Sequence, residues 1–361
     1  MTDAPRTDRR VALIAGVSGI IGSSLAERLV ADGWEVHGLA RRAFTGVEGV
    51  RPVVADLQRP ETVGPALEGV EPTHVFFTTW ARQETEAENC RVNGGMLQAL
   101  LDALADKPVR HVALLTGLKH YLGPFESYGQ GPIPETPFRE DQERVPGDNF
   151  YYVQEDVLWA AAERQGFTWS VHRSHTVTGF ATGNAMNMAL TLAAYAAICR
   201  RTGRPFTFPG SEQQWNGLTD MTDDDLLADQ MVWASTDPAG ANEPFNVVNG
   251  DVFRWRRMWP ELAEMLGVPE WEGFEGEPRP LEEQMAGVED VWSELVEEHG
   301  LAEADLSRVA SWWHTDADLG REIECVTDLS KARTAGWTTY VRTEDAFARL
   351  FARYREARIV P

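Results

Sequence analysis

Short apolar runs alternate with longer amphipathic segments along the first half of the chain. The apolar runs include RVALIAG, WEVHGLA, THVFFTT, VRHVALLTG and TWSVHR. The longer segments, whose apolar residues recur at helical spacing, include IIGSSLAERLVADG, NGGMLQALLDALAD and YYVQEDVLWAAAERQG. This alternation predicts βαβ units, and so an α/β fold with a doubly wound parallel sheet of Rossmann type. Such sheets bind ligands at the carboxyl ends of their strands.

The pattern becomes mainly helical beyond Gly179. Segments such as TDDDLLADQMVWAST and TEDAFARLFARYREAR carry apolar residues at helical spacing, and the connections between them are rich in Trp and Pro. We therefore predict a dinucleotide-binding Rossmann domain over residues 1–180 and a smaller, mainly helical region over residues 181–361 that caps a substrate pocket. Some segments of this second region could return to the sheet.

Composition and charge narrow the possible partners. A net charge of −23 at pH 7 argues against nucleic acid and anionic membranes, because both are bound through clustered cations. The longest apolar segment, AMNMALTLAAYAAIC, is shorter than a bilayer requires and predicts a buried helix. Cys90, Cys199 and Cys325 are widely spaced, which predicts neither disulfides nor a metal site and favours a reducing compartment, the cytoplasm. A homodimer is compatible with these features.

A glycine motif follows the first apolar run. In GVSGIIG, the glycines Gly16, Gly19 and Gly22 lie between the strand RVALIA and the first amphipathic helix. Glycines allow the backbone to turn tightly there and to approach a pyrophosphate, with the amides of the helix N-terminus directed at the phosphates. This context predicts a dinucleotide site that includes Gly16, Ser18, Gly19, Ile20, Ile21 and Gly22. A plain turn is the alternative.

The residues at the end of the second strand indicate whether the dinucleotide is NAD or NADP. WEVHGLA ends in Arg41 and Arg42, where an NAD-specific site would have an acidic residue for the ribose hydroxyl. Guanidinium groups can bind a 2′-phosphate through paired hydrogen bonds, which favours NADPH. A pair of surface arginines is the alternative. Asp56 and Leu57 follow the third strand, where Asp56 could bind the adenine amino group or cap a loop.

The stretch NFYYVQED lacks a lysine that its context leads us to expect. A tyrosine at the start of such a helix usually has a lysine four residues later, and here those positions hold Glu155 and Asp156. The chain has only three lysines, and Lys119 in VRHVALLTGLKHY directly follows an apolar strand at the ligand-binding edge. A cation roughly 5 Å from a phenol contributes about 3 kcal/mol, enough to lower a tyrosine pKa from ~10 towards ~8. A solvated loop lysine is the alternative.

Four motifs resemble a known family. TWARQETEAENCRVN, TGLKHYLGPFESYG, NFYYVQED and FNVVNGDVFRWRRMWPELAEMLGV are similar to the progesterone 5β-reductase and iridoid synthase family, atypical extended short-chain dehydrogenases that use NADPH. The similarity runs from Val11 to at least Gly267. It implies reduction of the activated C=C bond of an enone or enal, with hydride added to the β-carbon and charge developing on the carbonyl oxygen. It also implies Lys119 and Tyr151 as catalytic residues, with Tyr152 in a packing role.

Further contacts are expected from the strand ends. The predicted cofactor-binding residues there are Thr78, Thr79, Trp80, Thr116, Gly117, Lys119, Tyr151, Ser174 and Val177. The predicted substrate-binding residues are Trp80, Phe125, Tyr128 and Tyr151, whose aromatic rings suit a small apolar enone or enal. Two positions depart from the family pattern: Leu118 stands where the family commonly has arginine, and Ser174 where it tends to have proline.

Two other functions remain open at this point. The same fold supports an NADPH-dependent carbonyl reductase or a short-chain dehydrogenase of sugar-nucleotide type. A non-catalytic NADP-sensing protein would keep the fold without the chemistry, although the presence of both Lys119 and Tyr151 argues against it.

Overall fold

Seven parallel strands form the central sheet of the protein. The computed structural model describes residues 9–124, 135–184 and 186–361. The strands of this sheet are β1 (Val11–Ala15), β2 (Glu35–Ala40), β3 (Val50–Val54), β4 (His74–Phe77), β5 (His111–Gly117), β6 (Thr168–Ser174) and β10 (Glu243–Val247). From one edge to the other they run β3, β2, β1, β4, β5, β6 and β10, which is the Rossmann order with one added strand. The predicted fold class is confirmed.

Within the described residues, two short pairs of parallel strands lie outside this sheet. β7 (Val177–Thr178) pairs with β9 (Thr222–Asp223), and β8 (Phe206–Thr207) pairs with β11 (Trp271–Glu272). The helices in the described part of the chain are α1 (Ile20–Ala31), α2 (Val63–Ala66), α3 (Glu86–Ala103), α4 (Lys119–Leu122), α5 (Phe150–Gln165), α6 (Met188–Thr202), α7 (Glu212–Asn216), α8 (Asp224–Thr236), α9 (Trp255–Met265), α10 (Leu281–Gln284), α11 (Glu289–His299), α12 (Trp312–Leu319), α13 (Ser330–Thr334) and α14 (Thr343–Glu356).

Helices cover both faces of the sheet, which explains why its strands are apolar without strict alternation. In β1, Leu13 and Ala15 face a core shared with α3 and α5, whereas Ala12 and Ile14 face a core shared with α1 and α8. Successive side chains of a strand point to opposite faces, so both sets are buried here.

The C-terminal region has a core of its own and also completes the sheet. The apolar segment that predicted a buried helix forms α6, and its residues from Met188 to Cys199 are all buried against α9, α11 and α14. None of the helices described is both long and apolar enough to span a bilayer. Strand β10 pairs with β6, and α8 contacts α1, so segments beyond residue 180 do return to the sheet. The division at residue 180 itself stays a prediction.

Candidate active site

The glycine motif forms a tight turn between β1 and α1. Gly16 has a φ of +92°, and a Cβ atom placed on Gly22 would lie 2.1 Å from the carbonyl oxygen of Gly16. A side chain at position 22 would therefore force the turn apart. Gly19 is the N-cap of α1, and Gly19, Ile20 and Ile21 line a cavity of about 190 Å³ at the carboxyl ends of the strands. The amides at the start of α1 are thus placed to receive an anion.

The predicted catalytic pair lines the same cavity. Its walls in the N-terminal half are Thr78, Thr79, Trp80, Leu115, Thr116, Gly117, Leu118, Lys119, Phe150, Tyr151, Gln154, Ser174, His175, Thr176 and Val177. This set includes all the residues from Thr78 to Val177 that were predicted to bind the cofactor. The structure thus brings together residues from four strand ends and two helices that are far apart in the sequence.

Lys119 is buried beside a pair of stacked aromatic rings. It begins the short helix α4 directly after β5, and only 8% of its surface is exposed. Its Nζ lies 5.6 Å from the centre of the Trp80 ring and 5.2 Å from that of Phe150, and these two rings stack on each other. Cation–π attraction at such distances stabilises an ammonium group away from water. The alternative of a solvated loop lysine is therefore wrong.

Asn149 links the two predicted catalytic residues. It is the N-cap of α5, where its Oδ1 accepts a hydrogen bond from the amide of Tyr151 at 3.0 Å. Its Nδ2 donates to the carbonyl oxygen of Lys119 at 2.7 Å, and the side chain is buried. A single amide group therefore holds the backbone of both residues at a set separation.

Replacing this amide should impair catalysis more than stability. We expect Asn149→Ser to keep a helix cap but lose the bond to Lys119, with roughly a 10- to 100-fold lower kcat because small misplacements of reacting groups are costly. Thr85→Ala is the control, since Thr85 caps α3 through Glu88 and has no part in the cavity. It should lose about 1 kcal/mol of stability without a change in kcat. Equal kcat values for both variants would contradict the linking role of Asn149.

Tyr151 and Tyr152 have different surroundings. The Tyr151 side chain lines the cavity, and a Cβ atom placed on Gly117 would lie 3.4 Å from its hydroxyl oxygen. The Tyr152 hydroxyl instead donates to the carbonyl oxygen of His120 and accepts from the amide of Val145 at 3.0 Å. Its hydrogen bonds are thus satisfied by backbone groups, as the packing role implied by the resemblance requires.

The electrostatics of Tyr151 differ from the expectation based on Lys119. Burial raises the pKa of Tyr151 above its ordinary value, and the negative charge of Glu86 raises it further. The predicted lowering of the pKa towards 8 is therefore wrong for this environment, because desolvation of a phenolate is costly. Tyr151 is a neutral hydroxyl at physiological pH and can act as a hydrogen-bond donor.

Glu155 occupies the position of the missing lysine and belongs to a buried ion network. Its carboxylate is fully buried and lies 3.2 Å from Arg173, 3.0 Å from Arg144 and 3.4 Å from His120. Burial alone would raise the pKa of Glu155, but the contact with His120 and the charge of Arg173 lower it overall. The residue is ionised and structural, so a cation at this position would face two arginines.

The C-terminal region contributes a polar wall that the sequence did not predict. The polar residues Asn184, His314, Asp318 and Arg321 line the cavity, together with the apolar Met186 and with His175 from the end of β6. His314 and Asp318 lie one turn apart on α12, so both side chains lie on the same face of this helix. The only sequence signal was their spacing of four residues within SWWHTDADLGR, which is common in solvent-exposed helices.

His175 forms a buried ion pair beside the cavity. Its Nδ1 lies 2.7 Å from Oδ1 of Asp220, and Asp220 also accepts from the amide of Thr327 at 2.7 Å. Burial and Arg321 lower the pKa of His175, but the hydrogen bond and charge of Asp220 outweigh them and raise it to about 9. The imidazole is therefore protonated at neutral pH.

This pair should make stability depend on pH. A pKa raised from 6.5 to about 9 contributes stability that is complete below pH 6.5 and is lost as the pH rises through 9. We expect the free energy of unfolding to fall by up to about 3 kcal/mol across this window, measured by urea denaturation. His175→Gln should lack this slope. The pKa values of His74 and His172 are lowered to about 4 by burial, so these residues contribute only under acidic conditions.

The other described residues that were predicted to bind the cofactor or the substrate do not line this cavity. Arg41 and Arg42 are exposed at the end of β2, beyond the residues that line the cavity. Oδ1 of Asp56 accepts from the amide of Gln58 at 3.1 Å, which is the loop-capping arrangement, and Leu57 is buried in the core. Ser18 is exposed within the glycine turn. Phe125 and Tyr128 lie outside the described residues.

The two departures from the family pattern are accommodated locally. Leu118 packs in an apolar cluster with Tyr121, Phe138 and Cys325, and its amide donates to the carbonyl oxygen of Ser174 at 3.0 Å. The Ser174 hydroxyl donates to the carbonyl oxygen of Thr116 at 3.1 Å, so it ties β6 to β5.

Comparison with known proteins supports the resemblance over nearly the whole chain. Residues 64–361 match the model of the PRISE-like Rossmann-fold domain. The chain belongs to this family. It is 40% identical to the 3-oxo-Δ(4,5)-steroid 5β-reductase of Arabidopsis thaliana, over 97% of this chain and 93% of that protein. It is 41% identical to the (S)-8-oxocitronellyl enol synthase of Camptotheca acuminata, over 99% of this chain and 95% of that protein. The predictions of this family and of an enzyme are confirmed.

Solved structures support the fold. The UDP-glucose 4-epimerase of Thermus thermophilus, in complex with NAD, is 19% identical and covers 96% of this chain and 99% of its own, with a TM-score of 0.68. The UDP-glucose 4-epimerase of Thermotoga maritima, with UDP-glucose, is 16% identical with the same coverage and TM-score. At these identities the likeness concerns the fold alone.

Proposed function

We propose that this enzyme reduces the activated C=C bond of an enone or enal with NADPH. The observation that carries the proposal is one cavity lined both by the turn Gly19 to Ile21 and by Lys119 and Tyr151. The names of its relatives, a steroid 5β-reductase and an oxocitronellyl enol synthase, are consistent with this chemistry. When bound, the cofactor supplies the hydride that adds to the β-carbon of the substrate.

The residues of the chain act on the other end of the conjugated system. As the β-carbon gains the hydride, the electrons of the C=C bond move towards the carbonyl oxygen. Tyr151, a neutral donor, stabilises the resulting enolate oxygen and can supply its proton. The Lys119 ammonium lies beside the stacked rings of Trp80 and Phe150 and is only 8% exposed, so its positive charge is weakly screened by solvent.

The proposed preference for NADPH rests on Arg41 and Arg42. Both are exposed at the end of β2, where a 2′-phosphate would lie, and Asp56 is engaged in its own loop. In the double variant Arg41→Ala and Arg42→Ala we expect KM for NADPH to rise roughly 10- to 100-fold with KM for NADH unchanged. Arg201→Ala removes an arginine that pairs with Glu294 far from this site and is the control. A parallel rise for both cofactors would contradict the assignment.

The reaction itself is tested with isotopically labelled cofactor. NADPH that carries deuterium at nicotinamide C4 is incubated with 2-cyclohexenone, and the product is analysed by NMR. Deuterium at the β-carbon of cyclohexanone is expected. Deuterium at the carbinol carbon, with the C=C bond intact, would identify a carbonyl reductase instead. NADPH binding without oxidation on a broad panel of enones and enals would favour the non-catalytic sensor.

A further inference from the structure

The capping wall of the cavity is charged. Its charges are those of Asp318 on α12 and of Arg321 shortly after this helix; His314 on α12 adds a polar imidazole whose pKa is lowered by burial, and each of these residues is at most 9% exposed. Charged groups buried at a cavity surface are costly unless a partner or a ligand satisfies them. An entirely apolar substrate would remove water from this wall without providing a hydrogen-bond partner to replace it.

Asp318 lines the cavity, and the described residues donate a side-chain hydrogen bond to only one of its two carboxylate oxygens. Its Oδ2 accepts from the hydroxyl of Thr176 at 3.1 Å. Its Oδ1 lies 3.7 Å from Nη1 of Arg321, which is beyond hydrogen-bond distance, while Nε of Arg321 donates to the backbone carbonyl of Asp318 at 3.0 Å. The carboxylate and the guanidinium group are thus held close together without direct contact between Oδ1 and Nη1.

The charge of Asp318 is maintained by its neighbours. Burial alone would raise the pKa of Asp318, but Arg321, His314 and His175 lower it overall, so it is a carboxylate at neutral pH. A ligand carboxylate would gain Arg321 but would be repelled by Asp318 at short range. A hydroxyl group can donate to the carboxylate and accept from the guanidinium group at the same time. An oxygen atom about 2.8 Å from each partner fits a separation of 3.7 Å.

We propose that the substrate is an enone or enal that also carries an alcohol hydroxyl group, and that Asp318 and Arg321 bind this hydroxyl. The inference rests on the proposed function, in which the conjugated carbonyl faces Tyr151. It replaces the expected apolar substrate with an amphiphilic one, whose apolar part contacts Trp80 and Phe150. Asp318 and Arg321 are then specificity-determining residues supplied by the capping region.

A matched series of substrates tests the inference on the unmodified enzyme. trans-2-Alkenals of equal length, about six to ten carbons, are compared with the far end as methyl, hydroxymethyl or carboxylate, and the saturated products are identified. We expect kcat/KM to be roughly 10- to 100-fold higher for a hydroxymethyl compound than for its methyl counterpart, and lowest for the carboxylate, because a site built for a hydroxyl rejects analogues without one. Equal kcat/KM across the series at every length would overturn the inference alone. Failure to reduce any enal or enone would overturn the proposed function itself.

A variant identifies the residue responsible. Asp318→Asn keeps an acceptor for Thr176 but removes the charge, and the ratio of kcat/KM for the hydroxymethyl over the methyl compound should fall towards one. Glu322→Gln, an exposed neighbour of Arg321, is the matched control and should leave the ratio unchanged. If Asp318→Asn raises KM for NADPH and leaves the ratio intact, the carboxylate serves the cofactor and the inference is wrong. If the variant does not fold, the substrate series decides alone.

Discussion

Tyr151→Phe is expected to lower kcat by about two to three orders of magnitude while leaving KM for NADPH within a few-fold. The variant keeps the ring that packs beside Phe150 and removes only the hydroxyl that faces the cavity. Loss of one donor to a developing oxyanion typically costs this much, because the donor acts in the transition state more than in the ground state. Stopped-flow or steady-state oxidation of NADPH with 2-cyclohexenone measures the effect.

The neighbouring tyrosine provides a matched control. Tyr152→Phe removes a hydroxyl that bonds to the backbone of His120 and Val145, so we expect a loss of about 1 to 2 kcal/mol in stability and a kcat within a few-fold of the wild type. The two variants are chemically identical and adjacent in the chain. A larger loss of kcat in Tyr152→Phe than in Tyr151→Phe would reverse the assignment of the two residues.

The largest effect on stability is expected at Glu155. Glu155→Gln removes the charge that compensates Arg173, whose guanidinium group is buried, and we expect a loss of roughly 3 to 5 kcal/mol. The urea midpoint should fall while the dependence of the unfolding free energy on urea stays constant. The pKa of Glu155 is lowered overall, so the contribution of this network is present above the ordinary carboxyl range and is lost as the pH falls below it.

Asp156, the residue after Glu155, provides the control for the loss of stability in Glu155→Gln. Asp156 also pairs with Arg144, at 2.9 Å, but its side chain is exposed, so Asp156→Asn should cost less than about 1 kcal/mol. Glu155→Lys restores the common spacing of tyrosine and lysine and places a second buried cation beside Arg173. We expect it to yield no soluble folded protein. A stable Glu155→Lys variant would contradict the structural role of this network.

Local sequence patterns predicted the fold because each strand, turn and helix of it constrains the residue types within its own short segment. Three such patterns were informative: the glycine turn between an apolar strand and an amphipathic helix, the repeated βα alternation, and the isolated lysine after a core strand. Each of them indicates structure within the same few residues. The local pattern drew attention to Lys119, and the family resemblance indicated Tyr151; the structure brings both residues to one cavity. The raised pKa of Tyr151 was not predictable, because burial depends on which segments cover the ring.

The sequence by itself determined the sheet and the glycine turn, since each depends on residue types at fixed short spacings, and its resemblance to the family indicated Lys119 and Tyr151. Only the tertiary structure decided what surrounds them. Asn149 links the pair through hydrogen bonds, Glu155 neutralises two arginines, and Asp318 reaches the cavity from a helix much further along the chain. Contacts between distant segments leave no regular spacing in the sequence, because packing of the whole chain sets them. The proposed hydroxyl-binding residues Asp318 and Arg321 belong to this second category.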